Sequence, residues 1–274
     1  MIHYTNMVDI TINNFDLRQI TKSGQCFRMS EIEDGVFEII AGDKYLRAYQ
    51  RADISMFSFD VSQDEFDSYW RHYFDLETDY AAIIARVDPK DFYLKEAINY
   101  GSGIRILNQD LWEMMVSFLI SQQNNITRIR KCIDNISRKY GKKCTNKYNQ
   151  EYYAFPTPKE LALGDESALM ECNLGYRSKY VVRLANMVNN ASINLDIFRD
   201  RTYEEAKEEL LKIYGIGNKV ADCICLFALH RVEAFPIDTH IRQVLEKHYS
   251  DGFPFERYEG VAGIIQQYMF YYDL

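Results

Sequence analysis

The stretch Leu210-Leu211-Lys212-Ile213-Tyr214-Gly215-Ile216-Gly217-Asn218-Lys219-Val220-Ala221-Asp222 constrains this chain more than any other: a helix, a two-glycine turn and a second helix. Glycine tolerates positive φ and carries no side chain, so such a turn can be tight and its amides can approach a ligand closely. The first helix opens at Thr202, with Glu205 placed to complete a capping box. The second, Val220 to Leu229, is apolar on nearly all sides and must be buried. Its N-terminus combines unpaired amides with the positive end of the helix dipole, a natural seat for a phosphate. A plain corner between two helices uses glycine in the same way, so the turn alone leaves both readings open.

The rest of the chain divides by periodicity. Val8–Ile12, Val36–Ile40, Tyr45–Tyr49 and Ile54–Phe59 read as short strands separated by turn signals such as Glu33-Asp34-Gly35 and Gly42-Asp43, which predicts an antiparallel sheet. From Ser62 the signals become helical: Ser62 and Glu65, then Thr157-Pro158 and Glu160, mark helix starts. Further helices are expected near 109–121, 126–140, 177–190, 219–230, 238–249 and 258–271. The expectation is an α+β protein: an antiparallel-sheet domain over 1–100, then an all-helical domain over 101–274 whose helix-hairpin-helix covers about 203–230. Gly101-Ser102-Gly103 is the expected break.

Charge narrows the partners. The net charge of -8 argues against a polyanion, but residues 1–100 hold 18 Asp/Glu against 10 Lys/Arg while the remainder balances at 22 against 22. Within that neutral part, residues 126–147 carry eight Lys/Arg and one Asp, either a phosphate footprint or a solvated helix face. The six cysteines have no CxxC or cluster spacing, and His230 and His240 stand on different elements, so a side-chain metal site and any other cofactor are not expected. The start Met1-Ile2-His3-Tyr4 lacks a basic segment followed by an apolar run, and no apolar stretch reaches the roughly 18 residues of a membrane span. The reading is a soluble, intracellular, monomeric protein, in cytoplasm, nucleoid or nucleus according to host, with no membrane contact.

Lys219 stands at the mouth of the buried second helix. Partial desolvation and the helix dipole both disfavour its ammonium form, and a neutral amine is what covalent attack on a sugar carbon requires. The alternative is a lysine that snorkels out to meet phosphate as a cation. Asp238, in Ala234-Phe235-Pro236-Ile237-Asp238-Thr239-His240, is a natural N-cap. Capping would also hold its carboxylate where it could face Lys219 and stabilise positive charge on a deoxyribose ring.

The Gly-Ile-Gly-x-Lys-Val-Ala-Asp-Cys-Ile-Cys-Leu run and the Phe-Pro-Ile-Asp-x-His segment together resemble the 8-oxoguanine DNA glycosylase/lyase branch of the helix-hairpin-helix superfamily. Ser23-Gly24-Gln25-Cys26-Phe27-Arg28, Ser121-Gln122-Gln123-Asn124-Asn125-Ile126-Thr127-Arg128 and Leu174-Gly175-Tyr176-Arg177 match further loops of that family in order. The resemblance implies an enzyme of base excision repair that flips 8-oxoguanine, paired with cytosine, out of duplex DNA. Lys219 would attack C1′ with help from Asp238, expel the base and leave a Schiff base open to β-elimination. The purine would lie between Cys223 and Phe270, with the Gly24 carbonyl accepting its N7 proton and Gln266 reading its base-pairing edge. Gln123, Asn124 and Tyr176 would fill and wedge the duplex, Arg128 and Arg177 would hold the orphaned cytosine, and Gly215, Gly217 and His240 would meet phosphates. The resemblance also allows a monovalent cation on backbone carbonyls of the 213–218 turn.

Three other readings bear on these residues. An alkylated-base glycosylase would rely on Asp238 alone and leave Lys219 without a part. The endonuclease III group carries a four-cysteine cluster that these spacings cannot build. An inert DNA-gripping hairpin would use Gly215 and Gly217 but neither Lys219 nor Asp238. Gln122 and Gln123 are larger than the Ser and Asn of many relatives, Met29 replaces a common aromatic, and the chain stops four residues after Phe270.

Overall fold

In the computed structural model, which describes residues 7–51 and 55–274, period-two burial organises five strands between Met7 and Asp60 into one sheet. The Met1–Tyr4 start and Ile54, first residue of the fourth expected strand, lie outside the described residues. Strands β1 (Met7–Thr11), β2 (Met29–Glu33), β3 (Val36–Ala41), β4 (Lys44–Gln50) and β5 (Met56–Asp60) are ordered β1-β5-β4-β3-β2. Register pairs Val8 with Phe59 and Ala48 with Phe59, and β1–β5, β4–β5 and β2–β3 are antiparallel. Phe37 and Ile39 on β3, Leu46 and Ala48 on β4, and Phe57 and Phe59 on β5 are buried. Phe15 meets Phe57 at 4.8 Å, while Phe66 and Phe74 meet Phe59 at 4.9 and 5.4 Å. Each such buried ring contributes about 1.5–3 kcal/mol, so the face holds without a second sheet. The edge strand β2 escaped the sequence reading because Met29 is its one buried residue.

After Ser62 the chain turns helical, as its caps predict. Ser62 accepts the Glu65 amide, but the Glu65 carboxylate takes the Trp70 indole N–H at 3.2 Å. Thr157 and Thr202 form complete capping boxes with Glu160 and Glu205. Helices Leu111–Ser121, Ile126–Tyr140, Ser178–Asn189, Asn218–Phe227, Thr239–His248 and Ala262–Tyr272 lie where periodicity places them. Three others, Leu17–Lys22, Tyr80–Ala85 and Phe92–Gly101, start at Asp16, Asp79 and Asp91, whose side chains accept the amide three residues on. A short hairpin pairs Lys143–Thr145 with Glu151–Tyr153.

Compactness divides the chain elsewhere than at 100/101. Residues up to Ile39, Leu46–Asn108 and His230–Leu274 form one unit, and Ile40–Tyr45 with Gln109–Leu229 form the other. The expected break at Gly101-Ser102-Gly103 is a close-packing point inside the first unit. A Cβ on Gly101 would lie 3.2 Å from the Tyr271 ring, and one on Gly103 would lie 2.3 Å from Asp16 Cβ. Gly103 also accepts the Asp16 amide at 2.8 Å and donates to Gln19 Oε1 at 2.8 Å. These glycines are therefore set by steric need and not by a linker. The final helix, Ala262–Tyr272, packs along Phe92–Gly101, so the last segment is helical yet belongs with the sheet.

In the second unit, Leu111–Ser121 is buried from Trp112 to Ile120, and Asn218–Phe227 is buried from Val220 to Phe227. Phe118 and Phe227 stack across these two helices at 5.5 Å. The one buried charge on Asn218–Phe227, Asp222, is matched by Lys207 Nζ and the Tyr203 hydroxyl, each 2.7 Å from Oδ1. Burial, then the Asp222 contact, pushes the Tyr203 phenol upward and keeps it a donor. Among the described residues, no helix is long and apolar enough to cross a membrane.

Candidate functional site

The two glycines of the hairpin differ in what holds them. Gly215 has φ +96°, and a Cβ there would come within 2.6 Å of the Tyr180 ring. Gly217 has φ −102°, caps Asn218–Phe227 and faces open space, with no atom within 4 Å of where a Cβ would stand. Backbone geometry and internal packing thus require glycine at 215 but not at 217. What glycine supplies at 217 is clearance outside the protein, beside the free amides of a helix N-terminus. Lys219 occupies the first turn of that helix, partly exposed, with Nζ 5.5 Å from the Phe118 ring centroid. Cys223, one turn further, is buried.

The loop after Leu111–Ser121 is built by side chains that cap the helix's last carbonyls. Ser121 Oγ donates to Phe118 O at 2.8 Å, Gln122 Nε2 to Leu119 O at 3.2 Å, and Asn124 Nδ2 to Ile120 O at 3.0 Å. Asn124 also receives the Asn125 amide, so its side chain shapes the loop instead of reaching outward. Gln123 is exposed at φ +47°, and Arg128 is exposed on the first turn of Ile126–Tyr140. Tyr176, 42% exposed, stands beside them, its hydroxyl 3.4 Å from Gln123 Oε1.

Arg177 departs from the sequence expectation of an outward-reaching fork. It is buried, and its guanidinium donates to the carbonyls of Gln122, Gln123 and Leu174, with Nη2 2.8 Å from Gln123 O. Its Cζ lies over the Tyr176 ring, 4.6 Å from the centroid. A planar fork suits two adjacent carbonyls as well as it suits a base edge, and here it clamps the loop and backs the tyrosine. The basic run 126–147 is likewise partly neutralised. Lys131 and Arg138 share Asp134, Lys139 pairs with Glu171, and Lys143 pairs with Glu151.

In the first unit, Asp238 caps Thr239–His248, accepting the Ile241 amide at 2.9 Å. His240 is exposed in the same turn, with its ring edge-on to Phe270 at 6.2 Å. Gly24 has φ +76°, between Ser23 and Gln25, both wholly buried. Gln25 Nε2 donates to Ser23 Oγ at 3.0 Å and Arg105 O at 2.9 Å, and Gln25 Oε1 accepts the Leu107 amide. Two adjacent amides on Ala262–Tyr272 join the loops together: Gln267 Nε2 donates to Ser23 O at 2.7 Å, and Gln266 Nε2 to Pro236 O at 3.0 Å. A carbonyl can only accept, so the Pro236 bond fixes which end of the Gln266 amide points where. Its Oε1 is left buried with no hydrogen-bond partner among the described residues.

Gln25, Gln267, Phe118 and Tyr180 were not singled out from sequence, although a Gln-Gln pair inside the apolar Ile264-Ile265-Gln266-Gln267-Tyr268-Met269 run was a signal for one of them. Among the described residues no cluster of three His, Cys, Asp or Glu side chains could hold a metal. In the 213–218 turn, the carbonyl of Ile213 accepts the Ile216 amide, that of Gly215 accepts Gln122 Nε2 and that of Gly217 accepts the Ala221 amide.

Comparison with known proteins gives this geometry a lineage. Residues 7–115 match the model for the 8-oxoguanine DNA glycosylase N-terminal domain, and residues 116–253 match that for the HhH-GPD superfamily base excision DNA repair protein. The chain is 37% identical to an N-glycosylase/DNA lyase of Saccharomyces cerevisiae over 54% of its own length, but spans only 42% of that protein. With a probable N-glycosylase/DNA lyase of Methanothermobacter thermautotrophicus it shares 26% identity over 95% of this chain and 94% of that one. A solved structure of the Clostridium acetobutylicum 8-oxoguanine glycosylase/lyase, bound to double-stranded DNA with cytosine opposite 8-oxoguanine, superposes with a TM-score of 0.91. It is 36% identical, over 97% of this chain and 94% of that one. The chain belongs to the HhH-GPD superfamily of base excision DNA repair proteins, with an 8-oxoguanine DNA glycosylase N-terminal domain ahead of the superfamily domain.

Proposed function

We propose that this protein is a bifunctional DNA glycosylase and AP lyase that, as a monomer, extrudes 8-oxoguanine opposite cytosine from duplex DNA inside the cell and excises it. The observation that carries the reading is Lys219: it follows the open-faced Gly217 turn and heads an otherwise buried helix over Phe118. An inert duplex-binding hairpin needs the glycines but not that amine.

In this scheme the Lys219 amine attacks C1′ as the glycosidic bond breaks, and the base leaves with the bonding pair. Ring opening gives a Schiff base, from which loss of a C2′ proton expels the 3′ phosphate. Asp238, already fixed by the Ile241 amide, offers its carboxylate to the positive charge that develops on the sugar. The Gly24 carbonyl, held by positive φ and by the Gln25 and Gln267 anchors, accepts the N7 proton that 8-oxoguanine has and guanine lacks. The unpartnered Gln266 Oε1 takes donors from the base-pairing edge, and Cys223 and Phe270 flank the ring. Gln123 and Tyr176 fill the hole left by extrusion, which otherwise costs a few kcal/mol of lost stacking. Arg128 meets the orphaned cytosine, while Asn124 and Arg177 shape the loop that does so. Gly217 and His240 lie against phosphate.

The test is borohydride trapping on a duplex carrying 8-oxoguanine opposite cytosine. Wild type yields a covalent adduct, and Lys219→Gln retains damage-specific binding but yields none. Binding without a wild-type adduct would eliminate the lyase, and equal excision of guanine would eliminate the Gly24 contact.

A further inference from the structure

Two elements that reach into the duplex in the proposed function converge on one atom group of the hairpin. From the loop, Gln122 uses its two amide protons separately, one on Leu119 O at 3.2 Å and one on Gly215 O at 3.1 Å. From the wedge side, Tyr180 lies one turn beyond Tyr176, and its ring root abuts Gly215 so closely that a Cβ there would be 2.7 Å from Cγ. Tyr180 bridges the wedge to the hairpin: its ring is edge-on to Tyr176 at 6.1 Å and to Tyr214 at 5.3 Å. Gly215 in turn leads, through Ile216 and the Gly217 cap, into the first turn that bears Lys219. Leu111–Ser121 completes the circuit, since it carries Phe118 beneath Lys219 and ends in the Gln122 loop.

We infer that Tyr180 and Gln122 are positioning residues that tie the duplex-filling loop and the wedge to the turn presenting Lys219, so that insertion and alignment of the amine occur as one rigid movement. The chemistry of each contact supports the assignment. The Tyr180 hydroxyl has no hydrogen bond among the described residues, so the packing of its Cβ, Cγ and Cδ1 against Gly215 is what the residue supplies. The Gln122 link is made by the amide nitrogen at the end of the side chain, a donor that serine lacks.

The inference rests on the glycosylase reading and is tested by single-turnover excision on an 8-oxoguanine:cytosine duplex, beside equilibrium binding to a duplex holding a reduced abasic site and a melting curve. Tyr180→Ala lowers the excision rate about 10- to 100-fold, the scale of a roughly 1 Å misplacement of a reacting group. Affinity for the abasic duplex changes by less than about threefold, since phosphate contacts dominate it. Tyr180→Phe restores the rate. Gln122→Ser lowers it about fivefold, the rate equivalent of one neutral hydrogen bond. Wild-type rates in Tyr180→Ala and Gln122→Ser would overturn the inference, as would a loss in Tyr180→Phe equal to that in Tyr180→Ala, or a rate loss matched by equal losses of affinity and melting temperature. A wild-type protein that forms no trapped adduct would instead overturn the glycosylase reading itself.

Discussion

The polar side chains that build the 121–124 and 174–177 loops are spent mostly on backbone carbonyls of the protein itself, whereas the Gln266 side chain in the other unit keeps a buried acceptor unused among the described residues. In the loops, Ser121, Gln122 and Asn124 cap helix carbonyls and Arg177 clamps three more. Gln266, 3% exposed, is bonded at Nε2 and has no partner at Oε1 among the described residues. The loop residues create a rigid platform for an aromatic wedge. An orphaned buried acceptor, in contrast, costs about 1–3 kcal/mol and persists where a ligand supplies the missing donor. Under the proposed function, that difference separates residues that build a contact surface from one that reads the base.

Arg177→Ala tests the loop side most severely. It removes the buried fork from three carbonyls and is expected to cost about 3 kcal/mol in denaturant unfolding; a loss below about 1 kcal/mol would break the claim that Arg177 is structural here. Gly215→Ala follows, at about 2–3 kcal/mol from positive φ and the clash with Tyr180. Gln266→Leu sharpens the recognition side. It forfeits the Pro236 bond but also the orphaned Oε1, so stability stays within about 1 kcal/mol of wild type while 8-oxoguanine excision falls at least about tenfold. Destabilisation with unimpaired excision would place Gln266 among the scaffold residues. Gly217→Ala is the mildest: unfolding changes by less than about 0.5 kcal/mol, and duplex affinity weakens alike for damaged and undamaged DNA. Unchanged affinity would show that the open space at 217 meets no phosphate.

Much of this was legible in sequence where the interaction is local. Thr157, Thr202 and Asp238 announce helix starts because a cap bonds an amide three residues away. The apolar helix behind Lys219 was evident because nothing on it except Asp222 could face water. The carbonyl partners of Arg177 were not legible, because a forked donor has the same signature whether its acceptors are bases or carbonyls. Gly103 misled for a similar reason, since glycine marks both linkers and close approaches, and only the position of Asp16 distinguishes them.

By itself, then, the sequence determined the α+β order of elements, the hairpin, and the candidacy of Lys219 and Asp238, all of which follow from contacts within a helical turn or a strand repeat. The tertiary structure alone decided that residues 230–274 pack with the sheet unit, that Gln267 reaches Ser23 across 244 positions, and that Tyr180 and Gln122 meet at Gly215. Such pairings are chosen by how whole elements pack, and a hydrogen bond between distant residues leaves no periodicity in the chain between them.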